Sequence, residues 1–104
     1  MIRKAFVMTV KAGSEAEYAR RHNPIWPELA EILKAHGVHN YSIFFLERTR
    51  QLLAYVEIES EVKWTAIAAI PVCQKWWRYM AELMPHNPDH SPIAEETLKI
   101  FHLD

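Results

Sequence analysis

The order in which hydrophobic periodicity changes along this chain constrains its fold more than any single residue does. Residues 2–10 alternate Lys4, Phe6, Met8 and Val10 with Arg3, Ala5, Val7 and Thr9, the period of two expected of a strand. Gly13 closes that run. Ser14 and Glu17 form a Ser-x-x-Glu capping box, which predicts a helix from there to about Asn23, because a residue before proline is pushed out of α geometry. Asn23-Pro24 can cap a second helical segment with the apolar stripe Ile25, Leu29, Ile32 and Leu33. Pro27 lies near enough to its start to be tolerated, and Gly37 is a natural terminator after His36.

Residues 38–46 and 52–59 read as two strands of an antiparallel hairpin, joined by the charged turn 47–51. Ser60 can cap a helix through Trp64, Ile67 and Ala68. Pro71 starts or kinks another that carries Val72, Trp76, Tyr79, Met80 and Leu83 and stops at Pro85. After a turn-rich loop from 85 to 92, residues 97–103 supply a last strand with Leu98, Ile100 and Phe101. The order is β-α-β-β-α-β, which predicts an α+β, ferredoxin-like fold: an antiparallel sheet with helices on one face. A sheet carrying Phe6, Tyr41, Phe45 and Tyr55 on one face or the other would leave a large apolar patch in a monomer. A homodimer in which two sheets face one another is therefore expected.

With 104 residues, half of them apolar, the chain can bury one core, so residues 1–104 are expected to form a single domain. Twelve basic side chains oppose thirteen acidic ones without long runs of either sign, which argues against nucleic acid or an anionic membrane as a partner. Cys73 is the only cysteine, so no internal disulfide and no paired-cysteine metal site can form. The first residues lack the apolar run of a signal peptide, and no stretch matches a bilayer's thickness. The expectation is a soluble protein of the reducing cytoplasm.

Tyr18 and His22 stand four apart on a predicted helix and so share a face. An imidazole titrating near neutrality suits alternate gain and loss of a proton, but the same histidine also suits the helix C-terminus as a cap. Trp76 and Trp77 point about 100° apart on a helix, so one can join the core while the other lines a cleft; indole faces suit the C–H faces of a pyranose. Tyr41 offers a phenol from a strand, or a cross-strand contact with Tyr55. His86, Asp89 and His90 match no metal-ligand spacing, and two glycines cannot build a phosphate loop. Cofactor-free acid-base chemistry remains.

These residues sit in longer strings: Arg20-Arg21-His22-Asn23-Pro24-Ile25-Trp26-Pro27-Glu28, His36-Gly37-Val38-His39-Asn40-Tyr41, Trp76-Trp77-Arg78-Tyr79-Met80, and Met84-Pro85-His86-Asn87-Pro88-Asp89-His90-Ser91-Pro92. Together they resemble the L-rhamnose mutarotase family over essentially the whole chain. The resemblance implies a dimeric α+β barrel, no cofactor or metal, and an isomerase that interconverts the α and β anomers of L-rhamnose. It also implies that His22 is the proton donor and that Tyr18, Tyr41, Trp76 and Trp77 bind the sugar. In that reading His22 protonates the ring oxygen as the ring opens and recovers the proton on closure, with Tyr18 as candidate for the second group. A haem-binding or cofactor-free monooxygenase of the same fold, and a non-catalytic sugar-binding module, are the competing readings.

Overall fold

In a computed structural model that describes residues 1–104, β1 (Ile2–Thr9) lies second from one edge of a four-stranded antiparallel sheet of order β2-β3-β1-β4. Here β2 is Val38–Leu46, β3 is Gln51–Ile58 and β4 is the short Glu95–Glu96. Between β1 and β2 run α1 (Glu15–Arg21) and α2 (Pro27–Ala35); between β3 and β4 run α3 (Glu61–Ala66) and α4 (Pro71–Met80), each followed by a 3₁₀ turn. The expected βαββαβ order is present.

Alternation along β1 and β3 decides which face is covered. Met8 and Phe6 pair with Leu52 and Ala54, and this face, with Val56 and Ile58, lies under the helices at 0–3% exposure for the four β3 residues. Helices cover that face alone. The opposite face carries Val7, Leu53 and Tyr55, joined from β2 by Phe44 and Leu46, with Phe44 63% exposed. The apolar outer face therefore exists, but not from the residues expected: Phe6, Tyr41 and Phe45 lie on the helix side and only Tyr55 on the outer side.

The reason is a bulge. His39 pairs with Glu57 and Ser42 with Tyr55, so three steps on β2 answer two on β3, with Asn40 in the left-handed region at φ 46°. One extra residue inverts the parity of everything after it. Counted from Val38, Tyr41 would face outward; after the bulge Tyr41, Ile43 and Phe45 face the helices.

Three helix-end expectations change in the structure. Ser14 precedes α1 but its side chain makes no cap bond, its backbone lying at φ −102°, ψ 0° and not in the extended region of a capping residue, and the Glu17 carboxylate, the other half of the capping box, is held by Arg20 Nε at 2.7 Å and Arg21 Nε at 2.6 Å. Charge-assisted bonds of this kind outcompete a backbone amide for a carboxylate. The second helix starts at Pro27, not Pro24, because Trp26 itself precedes a proline and is extended at φ −56°, ψ 130°. The first helix stops at Arg21, one residue before His22, which is its C-cap. Gly37 does end α2, at φ +75°; an added Cβ there would meet Glu59 at 2.8 Å.

The last strand is the largest departure. The 97–103 strand does not form; pairing with β1 is made by Glu95 and Glu96 and ends at Thr97, whose N–H and hydroxyl both donate to the Ala5 carbonyl. Beyond it, Leu98, Ile100, Phe101 and Leu103 are 92, 97, 77 and 78% exposed, so nothing in the single chain gives them a surface to pack on.

Candidate active site

The helix-side face of the sheet and α1, α3 and α4 enclose an open cleft of ≈ 1010 Å³, lined mainly by apolar side chains. All five residues expected at a site line it: Tyr18, His22, Tyr41, Trp76 and Trp77. Tyr18, His22 and Trp76 stand in one aromatic corner and Tyr41 in another, while Trp77 lines the cleft without a ring contact in either.

In the first corner the Tyr18 and His22 rings stack with centroids 4.4 Å apart, as one helical turn dictates, and the edge of His22 meets Trp76 at 5.2 Å and 89°. The two readings of His22 turn out to be one arrangement. As the C-cap of α1 it places Nδ1 2.8 Å from the Tyr18 carbonyl oxygen, and because a carbonyl can only accept, Nδ1 carries the hydrogen and donates. Nε2 is then the unprotonated nitrogen of the neutral ring; it makes no hydrogen bond and opens on the cleft. Burial holds the His22 pKa below its ordinary 6.5, partly opposed by the bond to the Tyr18 carbonyl. Burial likewise pushes the Tyr18 phenol up to about 12, so it keeps its proton at neutral pH.

Trp76, 9% exposed, belongs to the core and to the cleft wall at once, while Trp77 is half-buried and also lines the cleft. The expected division, one ring in the core and one in the cleft, is thus only partly met. Neither the Tyr18 hydroxyl nor the Trp76 indole N–H is bonded within the protein, and neither is sealed in. Two unspent donors and one acceptor therefore converge on an apolar cleft, the arrangement that orients a small polar ligand.

The second corner is Tyr41 with Phe6 at 6.3 Å and Trp64 at 6.1 Å. Tyr41 does not touch Tyr55, which lies on the other face and donates to Glu57 at 2.9 Å. Burial of the Tyr41 hydroxyl raises its pKa above the ordinary phenol range, although the residue as a whole stays 37% exposed at the sheet edge.

Several contributors carried no signal of their own in sequence. Trp26, from the His-Asn-Pro-Ile-Trp-Pro-Glu string, meets Trp76 edge-on at 5.0 Å and stacks on Tyr79 at 5.3 Å. Arg21 lies with its guanidinium 4.3 Å above the Tyr79 ring, donates to the Tyr79 carbonyl at 2.6 Å, and bonds Glu17 and Glu82. This clamp fixes the end of α1 to the end of α4, and so sets His22 against Trp76. His90 and Ser91, from the proline-rich loop, also line the cleft, with His90 stacked on His86 at 5.4 Å. No group of three or more His, Cys, Asp or Glu side chains is placed to hold a metal ion.

A family model described as L-rhamnose mutarotase matches residues 3–103. The chain belongs to that family. An L-rhamnose mutarotase of Opitutus terrae is 64% identical over 104 residues, covering all of both chains, and one of Escherichia coli O8 is 59% identical with 99% of each covered. The crystal structure of L-rhamnose mutarotase from Formosa agariphila superposes with a TM-score of 0.92 at 36% identity, covering all of both chains. A protein from an uncultured marine organism, described as dimeric and ferredoxin-like, matches at TM-score 0.61 with 9% identity over 98% of this chain and 95% of its own, which supports the fold alone. Membership makes this chain an isomerase-type enzyme that interconverts sugar anomers. A monooxygenase or a non-catalytic binding module is set aside by the same matches.

Proposed function

We propose that the chain interconverts the α and β anomers of L-rhamnose at the Tyr18–His22–Trp76 corner, with His22 moving the proton. One observation carries this: Nδ1–H is committed to the Tyr18 carbonyl, which leaves a single basic nitrogen, Nε2, open on the cleft. Mutarotation needs the anomeric hydroxyl to lose a proton and the ring oxygen to gain one. Both oxygens are bonded to the same carbon, so one nitrogen can serve both. Because burial keeps His22 neutral at rest, it first accepts the hydroxyl proton; the imidazolium then donates to the ring oxygen as that C–O bond breaks and the aldehyde forms. Rotation about C1–C2 and the reverse transfer yield either anomer, and His22 ends neutral.

Tyr18, held protonated, serves the sugar as a hydrogen-bond donor. Tyr41, Trp76 and Trp77 bind the sugar, its C–H faces on the indoles. The chemistry of these residues calls for no cofactor. The outer sheet face with Phe44, Leu46 and Leu53 supports a homodimer, which sedimentation measures directly. The lone thiol, Cys73, is buried and free, and no helix is long and apolar enough to cross a membrane; the cytoplasm fits both features.

Saturation-transfer NMR on a panel of free aldoses tests the assignment. L-rhamnose is expected to exchange fastest; equal rates across the panel, or none on L-rhamnose, would overturn it.

A further inference from the structure

The cleft is larger than its first corner needs. Its ≈ 1010 Å³ matches the upper end of pockets that bury a drug-sized ligand, about 300–1,000 Å³, and a monosaccharide is a much smaller molecule. The helix-side residues of β1 measure out how that space is divided. Met8 packs in one core cluster with Tyr18 and Trp76, Phe6 meets Tyr41 and Trp64 at 6.3 Å each, and Lys4 comes last. From Met8 to Lys4 are four residues of strand, about 13 Å, roughly twice the breadth of one pyranose. A sugar whose anomeric carbon sits at His22 therefore does not reach the Lys4 end of the cleft.

That end is built from charges and one indole. The Lys4 side chain, only 16% exposed, lines the otherwise mainly apolar cleft. Its ammonium lies 2.9 and 3.2 Å from the two Glu61 oxygens but 3.6 Å from Glu96, beyond a good hydrogen bond. Of its three donors at least one is therefore free, and the Glu96 carboxylate keeps its acceptors. The bond to Glu61 raises the Lys4 pKa further above neutrality, so the donor is a fixed cation. A strap between β1, α3 and β4 needs only the ion pairs. It does not need them beside Trp64, whose half-buried indole lines the same end and offers a flat face that suits a sugar's C–H groups.

An aromatic face edged by a hydrogen-bond donor and acceptors is what a saccharide ring requires. We propose that the Lys4 end of the cleft is a second sugar subsite, formed by Lys4, Glu61, Trp64 and Glu96, and that the enzyme also interconverts the anomers of disaccharides carrying a sugar on the 4-oxygen of a reducing L-rhamnose. This rests on the function proposed above. With C1 at His22 the 4-oxygen is across the ring from it, so a substituent there leads away from the reacting end. The chemistry is unchanged. The bond between C1 and the ring oxygen breaks and re-forms, the anomeric hydroxyl proton passes to His22 and on to the ring oxygen, and closure reverses both transfers. The glycosidic bond stays intact and no further reactant is needed.

The test compares L-rhamnose with 4-O-β-glucosyl-L-rhamnose by saturation-transfer NMR at equal enzyme concentration. Wild type is expected to exchange both, with kcat/KM for the disaccharide at least equal to that for the monosaccharide. Lys4→Met keeps most of the side chain's length and removes its charge. It should lower kcat/KM for the disaccharide about tenfold, the loss of one hydrogen bond to a charged group, and leave L-rhamnose within about twofold. Glu96→Gln, at a side chain 77% exposed, leaves the fold alone and should shift the same ratio in the same direction. Saturation of protein methyl groups should also reach the glucose ring in wild type and fade in Lys4→Met, a readout of contact that does not depend on turnover. A disaccharide left unexchanged while L-rhamnose exchanges overturns the subsite. So does an equal loss on both sugars in both variants, which would make the ion pairs a strap and nothing more. Exchange of neither sugar by the wild type overturns the function proposed above, and the subsite with it.

Discussion

The two aromatic corners of the cleft use similar side chains to different ends. The Tyr18–His22–Trp76 corner is built on two helices clamped by Arg21, with Tyr18 and Trp76 at 8 and 9% exposure. The Tyr41 corner hangs from an edge strand next to a bulge and remains 37% exposed at Tyr41. A proton transfer needs a fixed nitrogen in a dry place, and one chain supplies that. Holding a sugar needs a wall, which can be finished by other means. The first corner should therefore govern rate and stability, the second affinity.

The largest effect should come from His22→Ala, which removes the only basic nitrogen in the first corner. Loss of about 10²- to 10⁴-fold in anomer exchange is expected, with sugar affinity nearly kept. Saturation-transfer rates and a binding isotherm measured side by side would check it; an unchanged rate removes His22 from the mechanism and dissolves the contrast. Stability follows next. Trp76→Ala truncates a buried indole and should cost about 3–5 kcal/mol in denaturant unfolding, whereas Trp64→Ala in the more open corner should cost about 1–2 kcal/mol. Equal costs would mean that the corners are equally part of the core.

The contrast explains what was legible in the sequence. Local rules reached the helices that carry His22 and Trp76, since spacing and proline punctuation act over a few residues. They missed that Trp26 obeys the proline rule applied to Asn23, and that Arg residues would claim Glu17 from its capping box. The second corner was illegible in principle. Tyr41 faces the cleft only because one bulged residue inverts the strand, and both parities of β2 are apolar enough to hide it. The run 97–103 has strand character that β1 does not satisfy in this chain, so a local pattern could predict a strand but not the surface it needs. The combination of residues came from family resemblance, and spacing alone gave only the Tyr18–His22 pair.

A smaller effect separates the corners by pH. Burial lowers the His22 pKa below 6.5, and the neutral ring is the form that accepts the anomeric proton. Exchange should therefore hold level through neutrality and fall on the acid side, about tenfold per unit, with an apparent pKa below 6.5. Stability should move in the same direction. The unfolded chain takes up this proton first, so the contribution is complete above pH 6.5 and declines as pH falls below it. An acid limb centred above 6.5 would mean that the imidazolium, not the imidazole, is the resting form.

The smallest effect is the one that tests the division most closely. Tyr41→Phe deletes a hydroxyl that stays protonated at working pH, so it can only donate or accept a hydrogen bond. A bond worth about 0.5–1.5 kcal/mol made equally in ground and transition states should raise KM roughly two- to tenfold and leave kcat alone. The matching Tyr18→Phe substitution should act the other way, because the Tyr18 ring stacks on the proton-transferring imidazole at 4.4 Å between centroids, and a donor in that corner would stabilise charge that develops only as the sugar ring opens. It should lower kcat more than it raises KM. If Tyr41→Phe lowers kcat while Tyr18→Phe alters only KM, the chemistry belongs to the open corner, and the closed one is merely the core that supports it.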